Sequence, residues 1–382
     1  MWKVPLFELN YDEAESRAAA DVIASRWLTM GERIDAFEQA FAEFLGGEVE
    51  ATAVSSCTAA LHMAVLMAGV GPGDEVIIPA LTFVADANVV AMTGATPVLA
   101  DSVSLDDWNV SAETIRARIT GRTRAVIVVH YAGYPCAMDE IVALCRERDL
   151  FLIEDVAHAP GASWRGSACG VMGDVGCFSF FSNKNLSIGE GGMLVTADPE
   201  LHQRARHLRS HGMTTLTLDR HKGRAISYDV VRPGLNYRMD EIRAAIGLAQ
   251  LEKLAGANRR RGELVRRYVE GLTGCEGVIA PFQSLGDVEP AWHIAPVLLD
   301  EAIDRERVIG CLREQGIQSS IHYPSFRAFS AWRDHEFPPT PVADRISDRV
   351  LTLPLFPTMT FDQVDAVVDA LMDALPRCRQ EV

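Results

Sequence analysis

Between residues 124 and 154 the chain reads Arg124-Ala125-Val126-Ile127-Val128-Val129-His130, then a helical segment at Met138–Asp149, then Leu150-Phe151-Leu152-Ile153-Glu154. Both flanking runs are short and almost continuously apolar, which is typical of strands that are buried on both faces. Two such strands joined through a helix form a unit whose strands lie parallel in one sheet. The stretch therefore predicts an α/β fold.

The same alternation extends from Ala51 to about Thr196. Further strands are predicted at Ala51–Ser55, Asp74–Pro79, Thr96–Ala100, Val175–Phe180 and Gly192–Thr196, and further helices at Thr58–Ala68, Phe83–Thr93 and Ser111–Ile119. Together these segments predict a mainly parallel, seven-stranded sheet with helices on both faces. Ligands of such sheets bind beyond the carboxyl ends of the strands.

The chain after Pro199 has a different, mainly helical pattern. Apolar residues at helical spacing predict one long helix, or a pair of helices, over Asp240–Leu254 and Arg259–Leu272. A small α+β domain is predicted from the segments Ala291–Leu299, Ile303–Gln315 and Phe361–Leu375. We therefore expect a large α/β domain with an N-terminal arm over residues 1–250 and a small domain over residues 251–382.

Composition narrows the class of protein. Of the 382 residues, 48% are hydrophobic and 23% are charged, as in soluble globular proteins. The formal net charge of −16 argues against nucleic-acid binding, although a few arginines and helix N-termini suffice to bind a phosphorylated small molecule. No apolar run has membrane-spanning length, and Met1–Pro5 lacks a signal-peptide pattern, so a cytoplasmic location without membrane contact is expected.

The cysteines give no indication of a metal site. The eight cysteines are scattered, without a Cys-x-x-Cys pair or a Cys/His cluster at zinc spacing. We interpret them as reduced packing residues and expect no bound metal.

One lysine stands out in the sequence. Lys184 lies between the apolar run that ends at Phe181 and the glycine cluster Gly189-Glu190-Gly191-Gly192, with no other Lys or Arg between Arg165 and Arg204. An amine in a partly desolvated pocket has a lowered pKa and can form a Schiff base with an aldehyde, which is how proteins hold pyridoxal 5′-phosphate. The alternative interpretation is that Lys184 is an ordinary surface lysine without a catalytic role.

Asp155 supports the first interpretation of Lys184. It follows a predicted strand, so its carboxylate is expected at the carboxyl edge of the sheet. There it could pair with the protonated nitrogen of a pyridine ring and keep the ring electron-withdrawing. A helix cap or turn residue is the alternative for Asp155 alone.

Two further strand ends carry suitable groups. Ser55–Leu61 joins a strand to an apolar helix, and the Thr58 hydroxyl with the free N–H groups of that helix start could bind phosphate, with simple N-capping as the alternative. Ser179 could add a hydroxyl donor. Phe83 could stack on a pyridine ring or belong to the core. His158 could reach a phenolic oxygen or be a buried structural histidine.

These residues stand within motifs that resemble the DegT/DnrJ/EryC1/StrS family of sugar aminotransferases. The resemblance covers nearly the whole chain and rests on the segments Ser56–His62, Ile153–His158, Phe178–Leu186, Gly189–Gly192, Gly234–Met239, Trp292-His293, Ile321–Pro324 and Leu351–Leu355. It implies fold type I of the pyridoxal-phosphate enzymes, like aspartate aminotransferase, and a homodimer with two shared active sites. Pyridoxamine 5′-phosphate would form during turnover.

The resemblance also implies roles for individual residues. Lys184 would be the Schiff-base lysine, Asp155 the partner of the ring nitrogen and Phe83 the stacking residue. The phosphate ligands would be Thr58, Ser179 and Asn236, the last from the partner subunit. Cys57 stands where relatives often carry glycine, and His158 completes the cofactor set. The substrate cleft would be lined by Thr29, Met30, Gly31, Arg238, His322 and Tyr323.

The substrate implied by the resemblance is a nucleotide-linked ketosugar, used for antibiotic or surface-glycan amino sugars. The run Asn236-Tyr237-Arg238-Met239 resembles members that aminate C4, and the preferred pair is a dTDP-4-keto-6-deoxyhexose with L-glutamate as amino donor. UDP- and GDP-sugars and amination at C3 are alternatives. Lys184 would act as tether and as general acid and base in a ping-pong cycle.

Three other functions are weighed against the sequence. A pyridoxamine-dependent dehydratase would replace Lys184 with histidine, and a cofactor-free regulatory protein of the same fold would be expected to lose Lys184 or Asp155. A nicotinamide-dependent dehydrogenase is excluded because Gly69-Val70-Gly71-Pro72-Gly73 precedes a strand instead of following one.

Overall fold

A computed structural model of the chain describes residues 2–215 and 227–380. In chain order the strands are β1 (Glu50–Val54), β2 (Glu75–Pro79), β3 (Thr96–Ala100), β4 (Thr123–Val129), β5 (Phe151–Asp155), β6 (Ser163–Trp164), β7 (Ser167–Ala168), β8 (Val175–Ser179), β9 (Gly192–Thr196), β10 (Val278–Ile279), β11 (Val288–Glu289), β12 (Ala295–Leu299) and β13 (Val350–Leu353).

The α-helices of the described ranges are α1 (Glu13–Ser25), α2 (Glu32–Phe44), α3 (Cys57–Met67), α4 (Ala85–Met92), α5 (Ala112–Arg116), α6 (Met138–Arg148), α7 (Pro199–Arg209), α8 (Glu241–Leu272), α9 (Arg305–Glu314), α10 (Pro341–Arg349) and α11 (Phe361–Arg377). Several begin at capping residues that the sequence offers. Asp12 forms a capping box with Glu15 at α1, and Thr360 forms one with Gln363 at α11.

The central sheet has seven strands in the order β1-β9-β8-β5-β4-β2-β3. Strand β9 pairs antiparallel with both of its neighbours, and the other six run parallel to one another. The predicted mainly parallel, seven-stranded sheet is therefore confirmed, with β9 as the exception. Apolar helices cover it, and α3 packs against β8 and β9. This covering explains why α3 is apolar nearly all round.

The long helix α8 is a single helix of 32 residues, which resolves the choice between one helix and two. Its start is capped by Asp240, and it packs against α1 and α2 as well as against α11. Gly247 is required where α2 crosses, because a Cβ there would lie 2.7 Å from the Phe37 ring. Residue 250, at which the sequence analysis divides the chain, lies inside this helix. The division into domains stays a prediction.

The C-terminal part contains a three-stranded antiparallel sheet, β10-β12-β13, whose core is shared with α8, α9 and α11. Of the segment Ala291–Leu299, which the sequence analysis assigns to the small α+β domain, only Ala295–Leu299 forms a strand, β12. The preceding residues form a loop instead: Trp292 has a φ of 54°, and His293 donates its backbone N–H to the Ala132 carbonyl. This loop reaches the central sheet.

Sequence reasoning does not predict helices α1, α2 and α10, strand β13 or the two-residue strands β6, β7, β10 and β11, whereas α7 lies in the stretch after Pro199 that it predicts to be mainly helical. Within residues 2–215 and 227–380, no helix combines the length and apolar character that a membrane span needs.

Candidate active site

A cleft of about 310 Å³ opens at the carboxyl end of the central sheet. Strands β4, β5 and β8 end in its wall at Val129, Asp155 and Ser179. Convergence of strand ends is the arrangement expected of ligand sites in parallel sheets. The structure brings nine of the predicted site residues together in this cleft: Cys57, Thr58, Phe83, Asp155, His158, Ser179, Lys184, His322 and Tyr323.

One end of the cleft is built around the start of α3. Ser56 caps this helix by accepting a hydrogen bond from the Ala59 N–H at 3.1 Å. The first turn of a helix has N–H groups without partners inside the helix and carries the positive end of its dipole, so this end of the cleft favours an anion. Thr58 is exposed to the cleft, and Ser179 lies on its wall.

The residue types at positions 192 and 57 are explained by their contacts with the start of α3. Gly192 must be glycine, because a Cβ would lie 2.5 Å from the carbonyl carbon of Ser56. Cys57 already belongs to the right-handed helix and is not among the residues with positive φ, so a side chain is tolerated there. Its thiol points towards Asp155, with Sγ 3.7 Å from Oδ1.

Asp155 is the buried carboxyl of the cleft, with 5% of its surface exposed. Its Oδ1 accepts a hydrogen bond from the Ala157 N–H at 2.8 Å. Burial raises the pKa of Asp155, whereas the Ala157 hydrogen bond and the charge of Lys184 oppose that rise. A second buried carboxyl, that of Asp86, lies close behind Asp155, and burial together with the Asp155 charge raises its pKa well above the usual range.

Lys184 lies in the loop between β8 and β9. The residue is partly exposed to the cleft, while its amino group is enclosed by protein atoms. Burial lowers the pKa of Lys184 to about 8, although the Asp155 charge acts in the opposite direction. At neutral pH a sizeable fraction of such an amine is unprotonated and nucleophilic.

Aromatic and imidazole side chains, those of Phe83, His158 and Tyr323, line the side of the cleft to which the C-terminal part of the chain contributes. His158 Nδ1 accepts the Ala132 N–H at 3.2 Å, so Nε2 carries the hydrogen and donates to the Tyr323 hydroxyl at 2.8 Å. Burial, followed by the Lys184 charge, holds the pKa of His158 well below its usual range. The Phe83 ring, 55% exposed, lies 5.6 Å from the Tyr323 ring. An exposed ring at a cleft is available for stacking.

Five predicted site residues lie outside this cleft of the same subunit. Asn236 is exposed and pairs with Ser210, and Arg238 runs beside the end of β1. Met30 is buried in the core, Gly31 donates its N–H to Glu241 at 2.9 Å, and Thr29 is exposed. Their roles stay predictions.

Sequence reasoning missed two buried residues at this site. His293 stands in a motif that the sequence analysis quotes without giving it a role, and its Nε2 lies 3.5 Å from the Lys184 amino group. Asp86 was not singled out, because an acidic residue in the first turn of an otherwise apolar helix has the pattern of a dipole-stabilising residue. Only the packing of α4 against the sheet brings its carboxyl to Asp155.

The donor set of the cleft fits pyridoxal 5′-phosphate. A helix start with hydroxyl donors suits the phosphate, an exposed aromatic ring suits the face of the pyridine, and a buried carboxyl suits its nitrogen. Lys184 supplies an amine for the aldehyde. These groups line one continuous cleft.

Comparison with known proteins identifies the family to which the chain belongs. Residues 10–372 match the DegT/DnrJ/EryC1/StrS aminotransferase family. The chain is 38% identical over 370 residues to the spore coat polysaccharide biosynthesis protein SpsC of Bacillus subtilis, covering 94% of each protein.

Solved structures show the same fold. The aminotransferase TlmJ from Streptoalloteichus hindustanus is 35% identical, with a TM-score of 0.90 over 99% of each chain. DesV of S. venezuelae, solved in complex with a ketimine intermediate, is 34% identical, with a TM-score of 0.89 over 98% of each chain. The chain belongs to the DegT/DnrJ/EryC1/StrS aminotransferase family, whose members are pyridoxal-phosphate-dependent sugar aminotransferases.

Proposed function

We propose that this chain transfers an amino group from L-glutamate to a nucleotide-linked ketosugar and aminates C4 of a dTDP-4-keto-6-deoxyhexose. The reaction would supply amino sugars for an antibiotic or a surface glycan. The observation that carries the proposal is the enclosed amine of Lys184, with its pKa lowered to about 8, in one cleft with the buried carboxyl of Asp155. An amine and a carboxyl in these environments are the two groups that pyridoxal phosphate chemistry requires.

The cofactor residues are assigned by chemistry. Lys184 would bind the cofactor aldehyde, Asp155 would pair with the ring nitrogen, and Phe83 would stack on the ring. Cys57 and Thr58 contribute to phosphate binding through the start of α3, with Ser179 as a further hydroxyl donor. When bound, the cofactor serves as the electron sink that stabilises negative charge at the carbon being deprotonated.

Lys184 would have a second task as the general acid and base. Its free amine would accept the proton from Cα of the amino acid and return a proton on the other side of the exchange, and it would act in the reverse sense for the ketosugar. A lowered pKa supports this role, because an amine that titrates near neutral pH can both accept and return a proton. His158 is held neutral, and its one N–H, at Nε2, donates to the Tyr323 hydroxyl, so donation to the phenolic oxygen of the cofactor would require His158 to exchange this hydrogen bond.

We further propose a homodimer in which Asn236 of each subunit completes the phosphate site of the other. Asn236 is exposed and lies outside the cleft of its own subunit, as a residue that serves a second copy must. The sugar nucleotide would lie against His322 and Tyr323, with Arg238 and the segment 29–31 from across the interface. The free state of all eight cysteines supports a reducing compartment such as the cytoplasm.

The position of amination rests on the run Asn236–Met239. A direct assay uses the holoenzyme, L-glutamate and a panel of nucleotide 4-keto and 3-keto sugars, with NMR identification of the aminated carbon. We expect a C4 amine from the dTDP-4-keto-6-deoxyhexose and no product with Lys184→Ala. A C3 amine would overturn the regiochemistry but not the reaction class, and absence of any amine would overturn the proposed function.

A further inference from the structure

A second carboxyl lies behind Asp155, away from the cleft. Asp86 belongs to the first turn of α4, and only 1% of its surface is exposed. Its Oδ2 accepts a hydrogen bond from the Thr82 hydroxyl at 2.5 Å. Within the described part of the chain its Oδ1 has no hydrogen-bond partner although it is buried. A buried oxygen in this state requires an explanation.

Asp155 supplies one. The side chains of Asp86 and Asp155 lie within hydrogen-bonding reach of each other. Two carboxyl oxygens can approach in this way only if one of the groups carries a proton, because two adjacent buried carboxylates repel each other and both lose their hydration. The pair is therefore expected to share a single negative charge, as other close carboxyl pairs do.

The surroundings decide which member holds the proton. Asp155 accepts the Ala157 N–H at 2.8 Å, faces the Cys57 thiol at 3.7 Å and is stabilised as an anion by the Lys184 charge. Among residues 2–215 and 227–380, Asp86 accepts a hydrogen bond only from the Thr82 hydroxyl. Burial and the Asp155 charge both raise the pKa of Asp86 well above its usual range. The charge therefore stays on Asp155 and the proton on Asp86.

We propose that Asp86 is a neutral carboxylic acid that donates a hydrogen bond through Oδ1 to the Asp155 carboxylate and so sets the charge that Asp155 presents to the cofactor ring. Asp86 is a positioning residue, since it acts through Asp155. The inference rests on the proposed role of Asp155 as partner of the ring nitrogen. A hydrogen bond donated to one oxygen of a carboxylate stabilises the negative charge of that carboxylate. The carboxylate therefore becomes a weaker base towards a proton that approaches its second oxygen.

The protonation of Asp86 can be measured without cofactor or substrate. We expect the infrared spectrum of the purified protein at about pH 8 to contain the C=O stretch of a protonated carboxylic acid that is absent in Asp86→Asn. Asp107, whose pKa burial raises to about 6, provides the matched control, because Asp107→Asn should leave this band unchanged. If the variant does not fold, ¹³C-labelled aspartate in the wild-type protein must shift the band.

Two infrared results would overturn the proposal. One is a spectrum without any protonated aspartate band at this pH. The other is a band that persists in Asp86→Asn and disappears in Asp155→Asn, which would place the proton on Asp155. Neither result depends on what the enzyme catalyses. Failure of the proposal about Asp86 is therefore distinguishable from failure of the proposed function.

The effect on the ring is measured in the holoenzyme by ¹⁵N NMR of labelled cofactor. Asp86→Ala removes the donor, so Asp155 becomes more basic and the ring nitrogen signal should move towards that of a fully protonated pyridine. Asp86→Asn retains a neutral donor and should give a smaller displacement. Equal displacement in the two variants, or none in either, would contradict the role of Asp86 as a donor.

Discussion

Nζ of Lys184 lies 3.5 Å from Nε2 of His293, and a buried network fixes the state of that imidazole. Both hydrogens of the Asn185 amide are used, one by Asn258 at 2.8 Å and one by the Ala291 carbonyl at 2.7 Å. Its oxygen must therefore accept the hydrogen of His293 Nδ1, at 2.9 Å. His293 then presents a bare lone pair at Nε2 to the lysine amine.

This relationship predicts that His293 orients Lys184 for proton transfer. In His293→Leu the amine loses its acceptor, and we expect kcat to fall by about 100-fold. His293→Gln can still present an oxygen and should recover part of the loss. Steady-state kinetics should find the KM for the sugar nucleotide little changed in both variants. Equal losses in the two variants, or a change confined to KM, would rule out the acceptor role.

The lowered pKa of Lys184 predicts the pH dependence of cofactor capture. Only the unprotonated amine attacks the aldehyde, so the rate at which apoenzyme captures pyridoxal phosphate should rise about tenfold per pH unit at low pH. It should level off above the Lys184 pKa of about 8. Stopped-flow absorbance measures this rate. A rise that continues to about pH 10 would indicate an ordinary exposed lysine.

Strand ends explain why much of the site could be predicted from sequence. Continuous apolar runs mark buried strands, and Asp155 and Phe83 follow such runs, so parallel topology alone brings them to one edge. His293 and Asp86 could not be found in this way. The position of His293 depends on a loop that is hydrogen-bonded to residues 131–133. The position of Asp86 depends on how α4 packs against the sheet. Both are set by long-range packing.

The same argument applies to the fold. Helices α3 and α6 and the seven central strands are marked by local apolar patterns, and their predicted bounds lie close to the observed ones. Strand β13 has only four residues, and it pairs with β12 and with Ser320, which are distant in the chain, so its local signal is weaker. Helix α1 has a capping box, and both α1 and α2 have amphipathic patterns, which sequence analysis could have used.

Glu154 is predicted to be a main determinant of stability beside the site. Its two fully buried carboxylate oxygens accept the N–H groups of Gly170, Met172 and Gly173 at 2.6 to 2.8 Å and contact His130 Nε2 at 3.0 Å. Glu154→Gln places an amide N–H against these donors, so the free energy of unfolding should fall by about 3 kcal/mol.

Urea unfolding of the apoenzyme measures this loss, with Glu48→Gln at an exposed position as the matched control. The control should change the free energy of unfolding by less than about 0.5 kcal/mol. An equally small effect for Glu154→Gln would refute the assignment of Glu154 as a fully satisfied buried carboxylate.

The proposed sharing of active sites between two subunits predicts complementation between two impaired variants. Lys184→Ala and Asn236→Ala subunits, mixed in equal amounts and allowed to exchange, form heterodimers with one intact site. Activity should return to about a quarter of the wild-type value, because half of the dimers are mixed and each has one working site. Failure to regain activity after confirmed exchange would mean that Asn236 does not serve the partner's site.

Covalent capture of the cofactor by Lys184 is the claim on which the proposed chemistry depends. The chain has four lysines, Lys3, Lys184, Lys222 and Lys253, so the attachment point can be mapped without ambiguity. Purified protein is incubated with one equivalent of pyridoxal phosphate, reduced with borohydride, digested and analysed by mass spectrometry. We predict the phosphopyridoxyl group on Lys184; its absence there, or its distribution over the other three lysines, would contradict the account.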